Sequence, residues 1–598
     1  MSTSPPPAEP RGGPAGPPRF VADALAFSCG AATMALEIAG ARLLAPSFGM
    51  SMPVWATLIG LTLAGLAAGS ALSGIDVRRA AAGRGWRSWA RPPGPLSAGE
   101  ESAAACRYNA AAGAAIGGMW VAATWAIAPV ALLSGKVATS HLDAPSAAAF
   151  LVAAATFVAW PTVFLGMVVP LVIAGSQRDD GPRARAGPSV REGSSNPAAP
   201  AHGWAAGGSG RILAWSTLGS LAGTFGTAFG TLPLLGVRLS LAAWGAALML
   251  VAALALVAEP ARSRSRLSHA MAAGVTCLAA VMVLLARTAA TQPPVGHADR
   301  TDGARLIAWR EGRTHYIEIV ESAGRRFLLF DEGAAVQSIH DADRPLTGTV
   351  WDDIAAAPLL APGDAPPAVR RALVVGLAGG TVARTLAAAW PGVRIDGVEI
   401  DPDVIDISRA HLGLSEIVGL TIHIADGRVW MNRRCASRSD GPSPSPPYDL
   451  IALDAYRGPY PPFHLMTREF FTLARRCLAP GGIVALNLVD PAGDGGTLTG
   501  SAAATLATVF GWIGQIERPD AYNRVLVASG APPGQGAFDA RRTALSTDGA
   551  TNTARAAADA MAGRWRMAVP LSADARILTD DRAPVERLVE ADVWRAVR

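Results

Sequence analysis

At 598 residues the chain is longer than one hydrophobic core supports, so two domains joined by linkers are expected. Hydrophobic residues make up 50% and charged residues 17%, with the apolar excess concentrated before residue 291, which excludes an ordinary soluble enzyme over that stretch. The net charge is +5, but the arginines are scattered and no basic run alternates with aromatics, which excludes nucleic acid as the partner class. Cys29, Cys106, Cys277, Cys435 and Cys477 are isolated, with no CxxC and no histidine at ligand spacing. Neither a disulfide framework nor a metal site is expected from them.

Residues 1–18 are proline-rich and lack the charged region and cleavage site of a signal peptide, so a disordered tail is expected there. Seven apolar segments follow, near 20–45, 54–76, 109–133, 146–174, 212–235, 239–258 and 268–290. Each reaches the roughly 20 helical residues needed to cross a bilayer core of about 30 Å. Several segments apolar all round, in succession, read as a multi-pass α-helical membrane domain over 19–290 rather than as a buried helical core. Gly65 with Gly69, Gly219 with Gly223, and Gly226 with Gly230 are spaced for close helix packing in lipid. Glu37 and Arg42 lie inside the first segment, where a charge needs a partner or a polar cavity.

Arginines cluster in alternate connections. Arg78, Arg79, Arg84, Arg87, Arg91 and Arg107 lie between the second and third segments. Arg178, Arg183, Arg185, Arg191 and Arg211 lie between the fourth and fifth, and Arg262, Arg264 and Arg266 between the sixth and seventh. The other connections carry Lys136, Arg238 or nothing. The positive-inside rule puts the amino terminus in the cytoplasm. Seven crossings from there would leave the rest of the chain outside, where nucleoside cofactors are scarce. Either one segment does not span, or another crossing is hidden, or the second domain is external; a cytoplasmic second domain with a miscounted segment is expected.

Residues 291–345 are expected to form a small antiparallel β lead-in, with strands in RLIAWREG, HYIEIVES and RRFLLFDEG and turns at Glu311-Gly312 and Ala323-Gly324. From 346 to 598 strands and helices alternate as in a Rossmann-like α/β domain, with strands near 372–375, 394–399, 421–425, 449–454 and 483–488. WIGQIE and RVLVAS read as a terminal hairpin, and 436–447 as a surface loop.

After the strand ALVV, Gly376, Gly379 and Gly380 leave no side chain between backbone and ligand. Glu399 ends the next strand, where a carboxylate accepts hydrogen bonds from ribose hydroxyls. Asp426 (with Gly427) and Asp454 end two further strands. Ligands of open α/β sheets sit beyond the carboxyl ends of the strands, so these acids should line one crevice, with Asp426 reading an adenine amino group and Asp454 nearest the reacting centre.

These motifs, VVGLAGGT, VEIDPDVIDISR, ADGR, DLIALDAYRGPYPPFHLMTREFF and LTDDRAPVERL, together resemble the spermidine synthases, polyamine aminopropyltransferases that share their fold with S-adenosylmethionine-dependent methyltransferases. The first half is similar to membrane-fused members through ALEIAGARLLAPSFG, PTVFLGMVVP and STLGSLAG. The resemblance implies a methyltransferase-type fold and decarboxylated S-adenosylmethionine as co-substrate, without a metal. It places Glu399 on the ribose, Asp426 and Gly427 near the adenine, and Asp454 in the catalytic strand-end motif. The family's reaction is attack by an amine on the methylene beside a sulfonium. Tyr456 and Tyr460 are placed to meet the acceptor, and Asp580 and Asp581 to order the last loop. His464 either polarises a substrate or caps a helix.

The sequence departs from the family in the amine half. Arg457 stands where a second aspartate is usual, Trp351-Asp352 where a tyrosine-glutamine pair is, and Tyr316 is followed by Ile317 rather than glutamine. Arg457 in place of an anion disfavours a polyamine and favours an acidic acceptor or the carboxylate of intact S-adenosylmethionine, unless it points to solvent or Asp352, Glu318 or Glu332 restores the anion. Tyr316, Trp351, Asp352 and His464 are therefore the expected substrate contacts, with Asp454, Tyr456 and Arg457 at the chemistry. Three readings follow: an aminopropyl transferase, a methyl or aminocarboxypropyl transferase using the intact cofactor, and a transporter whose second domain senses nucleoside or polyamine. The expected partners are the small-molecule acceptor, the lipid bilayer and a second copy of the chain.

Overall fold

The computed structural model describes residues 19–48, 52–81, 98–139, 158–179, 203–258, 266–290, 304–312, 314–330, 335–364, 367–435, 447–456, 460–489, 497–518, 522–545, 552–569 and 574–597. The expected tail, most of the 436–447 loop, Glu332 and Arg457 lie outside the described residues. The chain divides into two compact units, Met1–Val295 and Gly296–Arg598.

In the first unit the helices are α1 (Arg19–Phe48), α2 (Met52–Ala81), α3 (Ala98–Thr139), α4 (Trp160–Asp179), α5 (Gly203–Phe225), α6 (Leu232–Val257) and α7 (Arg266–Ala290). The stretches Arg19–Leu43, Trp55–Ile75, Gly208–Val257 and Ser268–Ala289 are long and apolar enough to cross a membrane, and Trp160–Ser176 is a shorter apolar helix. Gly208–Val257 holds two helices rather than one. A π-helical segment, Gly226–Thr231, ends α5, Gly236 leaves helical geometry at φ 74°, and Trp244 Nε1 donates back to Thr231 Oγ1 at 3.3 Å.

Small residues set the packing. A Cβ on Gly219 or Gly223 would run into the backbone of Phe27 or Ala31 in α1, and one on Gly65 or Gly69 into Thr162 or Val163 of α4. Gly226 instead faces Trp244, and Gly230 has open space around it, so this pair belongs to the π segment and not to a helix–helix seam. Outward-facing Leu63, Leu221, Phe229 and Leu284 are 51 to 78% exposed, rows of apolar surface that suit lipid rather than water. Glu37 lies half-buried in α1.

The second unit opens with four antiparallel strands, β1 (Arg305–Glu311), β2 (Tyr316–Ser322), β3 (Arg325–Phe330) and β4 (Ala335–His340), in sequential order. The turns fall where expected: Gly312 N–H donates to the His315 carbonyl, and Ala323 and Gly324 both take positive φ, the backbone of a two-residue hairpin. The fourth strand, AVQSIH, was not among the expected ones, because its polar residues break the apolar alternation.

An eight-stranded sheet follows, in the order β12-β10-β11-β9-β8-β5-β6-β7. Its strands are β5 (Arg371–Val375), β6 (Arg394–Glu399), β7 (Leu420–Ile424), β8 (Tyr448–Leu453), β9 (Leu478–Val489), β10 (Trp512–Glu517), β11 (Asn523–Ser529) and β12 (Trp565–Arg566). β9, β8, β5, β6 and β7 run parallel, β11 runs antiparallel to them, and β10, antiparallel to β11, takes up their direction again. This is the expected methyltransferase-type order, and the central strands are continuous apolar runs because helices cover both faces.

One face packs against α8 (Val350–Ala356), α9 (Thr381–Ala389) and α15 (Asn552–Met561) through Trp351, Ile354, Leu386 and Met561. The other meets α11 (Gly427–Cys435), α12 (Arg468–Cys477), α13 (Thr497–Ala507) and α16 (Val585–Val597) through Met431, Phe470, Leu498 and Val589. α10 (Pro402–His411) covers the small sheet, and α14 (Ala537–Ala544) completes the unit.

One expectation fails here. Cys435 and Cys477 form a disulfide with their Cα atoms 5.4 Å apart, within the usual bridging range. They end α11 and α12, and those helices lie side by side, so two residues 42 apart in sequence meet without any CxxC spacing to announce them.

Candidate active site

The strand order changes direction at β5, which has β6 on one side and β8 on the other. A crevice opens beyond the carboxyl ends of strands at such a point. Gly376 follows β5 directly at φ 89°, and a Cβ there would come within 2.4 Å of the Asp454 carbonyl oxygen, so the turn after β5 closes against the end of β8 only with glycine in this place. Gly380 takes φ 84° as the residue before α9. Gly379 donates its N–H to Ser338 Oγ at 2.8 Å, which ties the turn to β4, the strand missed in the sequence.

Glu399 is buried at the end of β6. Its carboxylate accepts the N–H groups of Ala378 and Ile400 at 2.9 Å each and of Asp401 at 3.1 Å. Burial pushes its pKa above the ordinary glutamate range, against the pull of these bonds. A carboxylate has about four acceptor sites, and three of them are occupied in shaping the turn. Asp401 caps α10 and also accepts the N–H of Thr314 at 3.1 Å, fastening the β1–β2 turn to the larger sheet.

Asp426, after β7, accepts from the Val429 N–H and pairs with His464 Nε2, both at 2.9 Å. The histidine bond holds the Asp426 carboxyl below its usual range. Gly427 packs so closely that a Cβ would meet Val375 Cγ1 at 2.4 Å. Arg428 makes two bonds to Asp580, at 2.7 and 2.6 Å, and a third to the His464 carbonyl. The last loop is thus fastened beneath the Asp426–His464 pair. His464 sits in a short 3₁₀ turn, Phe463–Leu465, and its ring engages Asp426 rather than a helix end.

Asp454 is held from two sides. Trp351 Nε1 donates to Oδ2 at 2.8 Å, and Asn487 Nδ2 to Oδ1 at 2.7 Å. Burial pushes its pKa up to about 6, although both bonds favour the charged form. Tyr456 turns its hydroxyl to the Asn487 carbonyl at 2.9 Å, and burial together with the Asp454 charge drives its pKa well above the usual value. Asn523 Nδ2 donates to Asn487 Oδ1 at 3.0 Å, fixing the amide orientation.

The structure brings Trp351, Asp454 and Tyr456 together, with Asn487 added. It does not join Asp352 to them. Both Asp352 oxygens turn to the 347–348 turn, where they accept the N–H groups of Thr347 and Gly348 and the Thr347 hydroxyl. Tyr316 stands at the start of β2 with its ring tilted against Trp309. Asn487 was not read from the sequence, yet a lone amide inside the apolar strand IVALNLV is a signal in itself, since a buried polar group needs partners.

A spermine/spermidine synthase domain matches residues 354–491, from α8 through β9. The second half of the chain is spermidine synthase-like. It is 29% identical over 327 residues to a probable polyamine aminopropyl transferase of Bifidobacterium longum, covering 52% of this chain and 68% of that protein. A polyamine aminopropyltransferase of Vibrio vulnificus is 32% identical over 183 residues, 30% of this chain and 58% of that one. The chain therefore spans 68% and 58% of these two relatives' lengths. A solved spermidine synthase from Thermotoga maritima is 18% identical at TM-score 0.34, over 44% of this chain and 85% of its own. The spermidine synthase-like half is a transferase domain.

Proposed function

We propose that the protein is a membrane-anchored transferase that moves an aminopropyl group from decarboxylated S-adenosylmethionine to an amine acceptor. The observation that carries this reading is Asp454, a half-buried carboxylate at the end of β8 with a pKa of about 6, across the β5 turn from Glu399. The membrane anchor rests on the apolar helices of the first unit.

In the reaction the amine nitrogen forms a bond to the methylene beside the sulfonium, the carbon–sulfur bond breaks, and its electrons return to sulfur in neutral methylthioadenosine. An amine has a pKa of about 10 and arrives protonated. Asp454 is charged above pH 6, attracts the ammonium, and accepts its proton once desolvation has lowered the amine's own pKa. Trp351 and Asn487 occupy one acceptor site on each Asp454 oxygen and so aim the remaining lone pairs. Glu399 and Asp426 would hold the ribose and adenine of the donor, whose sulfonium supplies the leaving group.

Purified full-length protein incubated with decarboxylated S-adenosylmethionine and putrescine should release methylthioadenosine, and Asp454→Asn should stop it. A second reading is favoured by the commitment of Asp352 to its own turn, which withdraws one anion from the amine half. On that reading the intact cofactor is the donor, and calorimetric titration would show tighter binding of the carboxylated form.

A further inference from the structure

We propose that the spermidine synthase-like domain faces the extracytoplasmic side of the membrane and carries the Cys435–Cys477 disulfide as a permanent feature of that oxidising compartment. The inference does not depend on which substrates the site takes.

Helix directions supply the first argument. Gly219 lies on Phe27 and Gly223 on Ala31; both numbers rise together, so α1 and α5 are parallel. Gly65 lies on Thr162 and Gly69 on Val163 and Gly166, so α2 and α4 are parallel. Gly175 meets Arg107 while Gly117 meets Leu165, which makes α3 and α4 antiparallel. Gly118 meets Met249 and Gly245 meets Ala122, so α3 opposes α6. The bond from Trp244 to Thr231 turns α6 back along α5. Arg238 reaches the Ala289 carbonyl while Met249 clusters with Ala279, so α6 opposes α7. The seven described helices therefore alternate in direction, which puts the end of α7 on the same face as the end of α1.

Arginine placement supplies the second. With this alternation the carboxyl-terminal ends of α2, α4 and α6 share one face, and the arginine clusters follow those ends in the sequence. The positive-inside rule makes that face cytoplasmic. The chain leaves α7 on the opposite face. Residues 291–303, TQPPVGHADRTDG, are too few and too polar for a further crossing.

The disulfide is the third argument and comes from the other unit. Disulfides persist in oxidising compartments and are rare where glutathione and thioredoxin keep thiols reduced. In forming this one, two thiols give up two protons and two electrons to the disulfide of an exchange partner, which leaves as a dithiol. The bridge joins the far ends of α11 and α12, whose near ends follow Asp426 and His464. Oxidation in that compartment would lock together the two helices that present the adenine-side pair. The site then draws both acceptor and nucleoside donor from outside the cytoplasm, so the proposed reaction there needs donor carried across the membrane.

The test uses the full chain expressed in a Gram-negative host. A carboxyl-terminal alkaline phosphatase fusion should be active and a green fluorescent protein fusion dark. In acid-quenched cells a maleimide polymer should label three thiols, Cys29, Cys106 and Cys277, and two more only after reduction. Protease added to intact spheroplasts should remove a small carboxyl-terminal tag from the otherwise native protein, which guards against misfolded fusions. A fluorescent fusion with a protected tag, or five thiols labelled without reduction, overturns the proposal. None of these readouts uses activity, so a failure here is separate from a failure of the proposed reaction.

Discussion

Trp351 and Asp454 are 103 residues apart in sequence and joined by a 2.8 Å hydrogen bond from the indole N–H to the carboxylate. The bond runs from the start of α8 to the end of β8, and its effect is electrostatic. A donor aimed at the charged form lowers an acid's pKa, so Trp351 and Asn487 together keep a half-buried aspartate ionisable near pH 6.

Trp351→Phe keeps the ring and deletes the donor. The Asp454 pKa should then rise. A hydrogen bond to a charged group is worth about 1.5–3 kcal/mol, or roughly one to two pH units. The acid limb of the kcat/KM profile, which should begin near pH 6 in the wild type, is expected to shift upward by that amount, with most of the activity recovered at pH 8.5 to 9. A profile that falls in height without shifting would show that the indole does not tune Asp454.

Asn487→Leu removes the second donor and leaves the Asn523 amide without its acceptor. We expect the same upward shift, with a loss of roughly two- to tenfold in kcat at pH 7, as follows from raising a pKa of about 6 by one to two units. The double variant should be far from additive, because an Asp454 with neither donor is neutral at pH 7 whichever was removed first. Strict additivity of the two single effects, read from the pH profiles, counts against a shared target.

Glu399→Gln tests the donor side. Glutamine has one carbonyl oxygen where the wild type has two acceptors, so its NH₂ must confront either the Ala378 N–H or those of Ile400 and Asp401. One unmet buried donor costs about 1–3 kcal/mol, and the turn around Gly376 should loosen. Calorimetry with methylthioadenosine should show affinity weakened by about 10²-fold, alongside a lower unfolding midpoint. Unchanged affinity would remove Glu399 from the nucleoside site.

Hydrophobic pattern and turn chemistry carried most of the architecture. The strands of the larger sheet follow from apolar runs bounded by glycine, and the acids at their ends follow from the rule for open sheets. What escaped was set by contacts distant in sequence. β4 is polar along much of its length and is held by β3 and by the bonds of Ser338 and Ile339 to the turn after β5. The cysteine pair is brought together by helix packing, which leaves no local spacing. Asp352 was read as a substrate contact because Trp351-Asp352 stands where the family has a tyrosine-glutamine pair, but a helix turns neighbouring side chains about 100° apart, and its carboxylate faces the preceding turn.

Asp353, one residue further on, is buried and clamped between two guanidinium groups, with Arg518 Nε at 2.6 Å and Arg564 at 2.7 Å. Arg518 also donates to the carbonyls of Gly348 and Thr349, so a single cation fixes both the helix and the turn that leads into it. Removing one partner of a buried ion pair costs about 3–5 kcal/mol, because the remaining charges stay desolvated. Asp353→Ala should therefore lower the unfolding midpoint of the second unit well beyond Trp351→Phe. The start of α8 should also move, and the acid limb should shift in the same direction as in Trp351→Phe, since the Trp351 indole departs with the helix. Asp353→Asn retains the shape and should recover part of the stability. Loss of stability with an unmoved acid limb would mean that the bond from Trp351 to Asp454 survives displacement of the helix, and that packing against the sheet, rather than the arginine clamp, places the indole.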